Sequence, residues 1–232
     1  MIVENLCKRF GSTVAVEKMS WSARPGEVAV VLGSNGAGKT TTMECLEGLI
    51  RPDGGRVEVL GSDPWRASAS HRARVGVMLQ DGGLPNGARP VAVLEHLAQF
   101  YEQPVDVDGV VRRLGIDGYA RTVVRRLSGG QRRRVAFAAA LIGSPDVVFL
   151  DEPTSGLDPH ARLDVYDIVR EHRDRGACVV LTTHSFEEAE ELADQVVIVN
   201  GGRAVAQGAL SEICGGGALS EAYFTFTGRT RR

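Results

Sequence analysis

The eight residues Gly33-Ser-Asn-Gly-Ala-Gly-Lys-Thr40 restrict what this chain can fold into more than any other stretch. They fit the spacing G-x-x-x-x-G-K-[ST]. The apolar run at 28–32 precedes them and a helical pattern at 39–48 follows. Strand, glycine-rich turn and helix in that order make a cradle for an anion. The glycines let the turn curl until backbone N–H groups point inward at phosphate oxygens. The helix adds the positive end of its dipole. Gly33, Ser34, Asn35, Gly36, Ala37 and Gly38 are the expected nucleotide-binding residues of the turn. Lys39 is expected to reach the β and γ phosphates, Thr40 to offer its hydroxyl to Mg2+, and Thr41 to touch the α phosphate.

Further short apolar runs stand at 75–79, 147–150 and 178–182, with helical patterns between them. Near-continuous apolar strands alternating with helices predict an α/β fold with a mostly parallel sheet covered on both faces. The runs 196–199 and 203–207 flank Asn200-Gly-Gly202, which predicts a hairpin. The stretch 90–143 has a different character, with helices expected at 91–101, 107–114 and 131–142. It reads as an inserted helical subdomain entered through the glycine-rich segment 81–87. The amino-terminal residues through about Trp21 read as a small antiparallel β addition. The expected organisation is one domain over 1–232. Segments 1–80 and 144–210 form its α/β core, 81–143 the helical part and 211–232 a short tail.

Asp151 and Glu152 close the run 147–150. The C-terminal end of a buried parallel strand is the ligand edge of such a sheet. Adjacent acids there are costly without a purpose. Asp151 can hold Mg2+ while Glu152 orients or deprotonates an attacking water.

Leu127-Ser-Gly-Gly-Gln131 opens the third helix of the insertion. Ser128 and Gln131 have the spacing of a capping box. Gly129 and Gly130 weaken a first turn, by about 1 kcal/mol each, and their bare backbone equally suits an anion seat. Arg132, Arg133 and Arg134 follow. Cations at a helix start oppose its dipole, which fits either an anion docking nearby or ion pairing elsewhere.

With these residues together, the sequence resembles the ABC transporter ATPase family along nearly its whole length. GSNGAGKT, VVFLDE at 147–152 and LSGGQ look like that family's Walker A, Walker B and signature motifs. The resemblance implies a RecA-like P-loop NTPase core and ATP as the nucleotide. It identifies Gln80 with the Q-loop glutamine, a catalytic and metal-side residue. Ser155-Gly-Leu-Asp158 matches the D-loop, with Asp158 its acid. His184 matches the switch histidine that senses the γ-phosphate. Phe10 falls where the family places an aromatic that stacks on adenine. The resemblance further implies a head-to-tail dimer in which Ser128, Gly129, Gly130 and Gln131 face the nucleotide of a second copy or of a homologous subunit. The motor would then sit on the cytoplasmic face of a membrane through a separate permease, docked near 80–89. The run Gly76-Val-Met-Leu-Gln80 and the segment 219–228 are similar to exporter ATPases of the ABC-2, drug-resistance-like type.

Composition narrows the partners. Formal net charge is −2, so no nucleic-acid partner is expected. Cys7, Cys45, Cys178 and Cys214 form no CxxC pair, so neither zinc nor a disulfide framework is expected. No run approaches the roughly 18 apolar residues of a membrane span, and no signal-peptide pattern opens the chain. His71, His96, His160 and His172 fit no ligand spacing and are expected on the surface. The competing reading is a soluble ABC ATPase acting on the ribosome or on DNA. Ribosomal relatives carry two P-loops per chain, and DNA-maintenance relatives separate their Walker motifs by a long heptad region. A small P-loop kinase would lack LSGGQ. None of these patterns is present.

Overall fold

The computed structural model describes residues 1–79 and 83–228. The amino-terminal part runs β1 (Ile2–Phe10), β2 (Thr13–Ser22), β3 (Val28–Leu32), α1 (Lys39–Leu46), β4 (Gly54–Glu58), α2 (Ala69–Arg72) and β5 (Val75–Met78). Three helices follow, α3 (Pro90–Ala98), α4 (Val107–Arg113) and α5 (Gly129–Leu141). The chain then returns to the sheet through β6 (Val147–Asp151), α6 (Pro159–Asp174), β7 (Cys178–Thr183), α7 (Phe186–Leu192), β8 (Gln195–Asn200) and β9 (Arg203–Ala209). It ends in α8 (Leu210–Cys214) and α9 (Leu219–Thr227).

The main sheet has the order β5-β6-β7-β3-β8-β9. Its first five strands are parallel, and β9 closes one edge antiparallel to β8. Every residue of β3, β6 and β7 is buried. That is why these strands carry no alternation: both faces are covered. Val28, Val30 and Leu32 face one core with Phe137 of α5, Val165 of α6 and Leu192 of α7. Ala29 and Val31 face a second core with Met43 and Leu46 of α1 and with Leu6, Val16 and Met19. The latter three come from the smaller antiparallel sheet, order β2-β1-β4. Its third strand, β4, comes from after α1, so the amino-terminal addition recruits a later segment. Phe149 is fully buried on β6 between these layers. Its truncation to alanine would cost about 3–5 kcal/mol.

Two expectations are corrected. The segment expected as a tail forms α8 and α9, and Leu219 is fully buried. Tyr223 and Phe224 pack on Phe186, at ring-centroid distances of 5.3 and 6.2 Å, because an aromatic pair on one helix face seeks apolar cover. His172 is buried, its Nδ1 lying 2.9 Å from the Ile168 carbonyl one turn earlier. Its place on the inner stripe of α6 outweighs its polarity.

Candidate functional site

The glycine loop leaves β3 at the sheet's carboxyl edge and enters α1. Gly38 is the N-cap of α1 with φ 102°, and a Cβ there would meet the Ala15 carbonyl at 2.6 Å. Only glycine accepts both conditions. A Cβ at Gly33 would meet the Val199 carbonyl at 2.7 Å, so β8 presses the start of the loop. Lys39 folds back over the loop and donates from Nζ to the carbonyls of Gly33 (2.8 Å) and Ser34 (3.3 Å). It is only 6% exposed. Burial holds its ammonium below the usual lysine range, against the opposing pull of Glu152 and Asp151. A cation held this way, dry and beside bare backbone, is poised to gain from an incoming anion.

Thr40, the next residue, donates from Oγ1 to Asp151 Oδ2 at 3.0 Å. Asp151 is the last residue of β6 and is buried. Its other oxygen accepts from the Thr182 hydroxyl of β7. Glu152 then turns out of the sheet with φ 49°. A non-glycine residue in that region costs of order 1–3 kcal/mol and persists where its surroundings fix it. Here the Glu152 N–H donates to Thr182, to the carbonyl at 3.2 Å and to Oγ1 at 3.1 Å. The turn aims the side chain at His184, whose Nδ1 lies 3.1 Å from Glu152 Oε1.

These groups open on a cleft of about 360 Å3 lined by Asn35, Gly36, Gly38, Lys39, Thr40, Thr41 and Glu152 on one side. Thr13, Val14 and Ala15 of the β1–β2 hairpin form the other. Phe10 is paired with Thr13 across the hairpin and is 51% exposed. It does not line this cleft. Lys8 Nζ lies 5.5 Å from its ring centroid. Gln80 lies outside the described residues.

Ala37 stands in the loop, and its side chain does not line the cleft. It is 4% exposed, and its methyl joins the second core with Val31 and Met43. A small apolar side chain on the inner side of the loop is drawn out of water, not toward a charged ligand. Its backbone is also engaged. The Ala37 N–H donates to the Ser34 carbonyl at 3.1 Å, and its carbonyl accepts from the Gly202 N–H at 2.9 Å. Ala37 thus anchors the loop to the β8–β9 turn. Gly33 and Ser34 likewise lie off the cleft wall, where their carbonyls hold Lys39.

The signature residues are elsewhere. Ser128 caps α5 and accepts from the Gln131 N–H at 3.2 Å, while Gln131 Oε1 accepts from the Ser128 N–H at 3.0 Å. The capping box is therefore formed. None of Ser128, Gly129, Gly130 or Gln131 lines the phosphate-loop cleft. Two of the three arginines that follow find partners within the chain. Arg133 donates to the Ser155 carbonyl, and Arg134 reaches Asp158 Oδ2 at 3.3 Å. Asp158 also caps α6 through the Ala161 N–H at 3.0 Å. The start of α5 and the D-loop segment are thus one tied unit.

Sequence reasoning missed the hairpin wall and Thr182. It also missed a buried contact in which Thr154 Oγ1 donates to Glu188 Oε1 at 2.7 Å. The signal for Thr182 was a pair of hydroxyls, Thr182 and Thr183, closing an apolar strand.

The family profile described as ABC transporter matches residues 16–155, more than half of the chain. The chain belongs to the ABC transporter family. It is an ATP-binding, ATP-hydrolysing motor subunit of that family, and it resembles exporter ATPases of the ABC-2 type. It is 41% identical over 217 residues to the daunorubicin resistance ATP-binding protein DrrA3 of Streptomyces coeruleorubidus, a match covering 91% of this chain and 68% of the relative. It is 38% identical to the Nod factor export ATP-binding protein I of Ralstonia nicotianae, covering 91% of this chain and 67% of that one. A solved ATP binding subunit of an ABC transporter superposes with a TM-score of 0.89 at 25% identity, covering 97% of this chain and 98% of the other. No finding supports the ribosome- or DNA-directed alternative.

Proposed function

We propose that this ABC subunit powers export through a separate membrane permease, working as a head-to-tail dimer with two ATP molecules between the protomers. The observation that carries the dimer is the split of its anion seats. The phosphate loop opens on one cleft, and the start of α5 stands outside it. Each chain then offers one phosphate cradle and one separate helix start, which a second protomer completes. Export is favoured by similarity to subunits named for drug resistance and for Nod factor export. Among the described residues no helix is long and apolar enough to cross a membrane. In this reading the permease supplies the attachment.

In this reading Lys39 and the loop amides bind the β and γ phosphates, Thr41 the α phosphate, and Phe10 stacks on the adenine. Thr40 and Asp151 present a hydroxyl and a carboxylate within 3.0 Å of each other. Hard oxygen donors of that kind suit Mg2+, which usually takes one or two protein ligands beside substrate phosphates and water. Bound there, the ion would neutralise charge on the transferring phosphoryl group. Glu152 takes the proton of the attacking water, and His184, bonded to Glu152, reports the γ-phosphate. Gln80 belongs to the same set and leads into the permease-facing segment.

Size exclusion tests the assembly. Glu152→Gln protein should run as a dimer with ATP and Mg2+ and as a monomer without them. Adding Ser128→Arg should abolish the dimer by steric and charge conflict. A Glu152→Gln protein that stays monomeric at high concentration in saturating ATP would remove the sandwich.

A further inference from the structure

Glu188 belongs to the first turn of α7, yet its side chain is turned inward and is 2% exposed. Its N–H donates to Ser185 Oγ at 3.2 Å. A helix start favours an acid, but Glu187 meets that preference from the solvent side, with its side chain 82% exposed. The dipole therefore does not explain why a carboxyl is placed inside. An apolar side chain there, beside buried Ala189 and Leu192, would avoid the cost of burying a charge. Nor does a cation explain it. Arg162 acts on Glu188 from α6, but its guanidinium reaches Glu187, at 3.7 Å. Burial first, and then the charge of Glu152, push the Glu188 carboxyl up.

Two hydroxyls hold the carboxyl instead. Thr154 Oγ1 donates to Oε1 at 2.7 Å, and Thr183 gives a second side-chain hydrogen bond. Thr183 is the last residue of β7 and stands directly before His184. Thr154 stands two residues after Glu152, in the turn where the Ser155 N–H donates to the Glu152 carbonyl at 3.3 Å. One buried carboxyl thus bridges the two strand ends that carry the Glu152–His184 pair. Glu152, at φ 49°, needs surroundings that fix it. Thr182 holds its N–H, and the Thr154 bond fixes the turn that follows.

We infer that Glu188 is a positioning residue for ATP hydrolysis, holding Glu152 and His184 at their hydrogen-bonding distance through Thr154 and Thr183. The inference rests on the roles given above to Glu152 and His184, and adds what keeps the two in register. Glu188 does not line the phosphate cleft and acts only through that pair. Its hydrogen bonds go to the two strand ends and to Ser185, not to the glycine loop or to Lys39. Its loss should therefore lower turnover and spare nucleotide binding. A misplacement of about 1 Å at reacting groups is enough to cost ~100-fold in rate.

The test is steady-state ATPase assay and equilibrium ATP binding on the full chain, with each variant held well below its melting temperature. Glu188→Ala should lower kcat by about 10- to 100-fold, with the Kd for ATP within about threefold of wild type. Glu188→Gln keeps an oxygen for Thr154 and should retain kcat within about threefold. Thr183→Val removes the second hydroxyl and should lower kcat about 10-fold, while Thr183→Ser, which keeps it, should match wild type. In a His184→Ala chain, Glu188→Ala should add less than about twofold further loss, because the clamp acts through the pair. If Glu188→Ala does not fold, the two Thr183 variants decide. The clamp is overturned, with the site reading intact, if Glu152→Gln and His184→Ala lose turnover while Glu188→Ala and Thr183→Val keep it. It is also overturned if the variants raise Kd with kcat unchanged, or if the Glu188→Ala loss multiplies in full onto that of His184→Ala. Wild-type turnover in both Glu152→Gln and His184→Ala would overturn the site reading and the clamp together.

Discussion

His184 Nδ1 stands 3.1 Å from Glu152 Oε1, so the residue that follows the buried strand β6 and the residue that follows β7 form one hydrogen-bonded pair, with Glu152 on the wall of the phosphate cleft. If Glu152 is the base, Glu152→Gln keeps the shape and the bond but cannot take a proton. The turnover rate should fall by ~10²–10⁴-fold, with ATP affinity within a few-fold of wild type. His184→Ala should also lower turnover. Because the two groups touch, the double variant should lose far less than the product of the single losses. Steady-state ATPase assays and equilibrium nucleotide binding on the four proteins check this.

Lys39 makes a different prediction because its ammonium is buried and held below its ordinary range chiefly by desolvation. Lys39→Ala should weaken ATP by about 10- to 100-fold, the worth of a charge-assisted hydrogen bond of about 1.5–3 kcal/mol. Lys39→Met, which keeps much of the volume and removes the charge, should bind equally poorly yet unfold at the same temperature as wild type or higher. Calorimetric titration and thermal melts separate the two effects.

Thr154 and Glu188 tie the turn after β6 to α7 at a buried point, 2.7 Å apart. Burial pushes the Glu188 carboxyl up, opposed by hydrogen bonds from Thr183 and Thr154. Glu188→Ala leaves the Thr154 hydroxyl without its acceptor and should cost about 2–3 kcal/mol in urea unfolding. Glu188→Gln keeps an oxygen for Thr154 and sheds the charge, so its cost should be under about 1 kcal/mol.

The contrast between these sites tracks what a linear sequence can carry. The glycine loop, Asp151 and Glu152 were legible because their chemistry is contiguous: strand, turn and helix occupy neighbouring positions. Within that loop the motif does not say which residues face the ligand. Ala37 turned to the core because Met43 and the β8–β9 turn lie beneath it. The hairpin wall of Val14 and Ala15 was not legible, since apolar residues in a strand look alike whether they face a core or a cleft. Arg133 and Arg134 were ambiguous until Ser155 and Asp158 stood beside them, because only the tertiary arrangement chooses between a docking anion and an acceptor within the chain. Helix α9 was read as part of a tail because its packing depends on Phe186, which is remote in sequence. Glu47, the C-cap of α1, carried no signal at all. An acid after a helical run is ordinary until an apolar cleft, here with Leu46, Val75 and Val77 in its walls, forms around it.

That acid gives the last prediction, and its sign follows from the direction of its shift. Glu47 titrates at about 8 in the folded chain against an ordinary 4.5. Between those values the unfolded chain has released the proton and the folded chain still holds it. The folded state therefore binds more protons, and stability falls as pH rises through this window, by at most about 1.4 kcal/mol per pH unit from this group. Above pH 8 the group adds no further slope, and below pH 4.5 both states are protonated and its contribution is constant. Asp151 and Glu44 act on Glu47 in the same direction, and Glu188 is also shifted up, so the whole-protein slope is a sum. The quantity to read is the difference between wild type and Glu47→Gln in urea unfolding at half-unit steps from about pH 5 to 8.5. Glu47→Gln should be increasingly the more stable of the two as pH rises, with the gap levelling off near pH 8. Parallel curves across that range would show that Glu47 ionises in the folded chain as an ordinary surface carboxylate does.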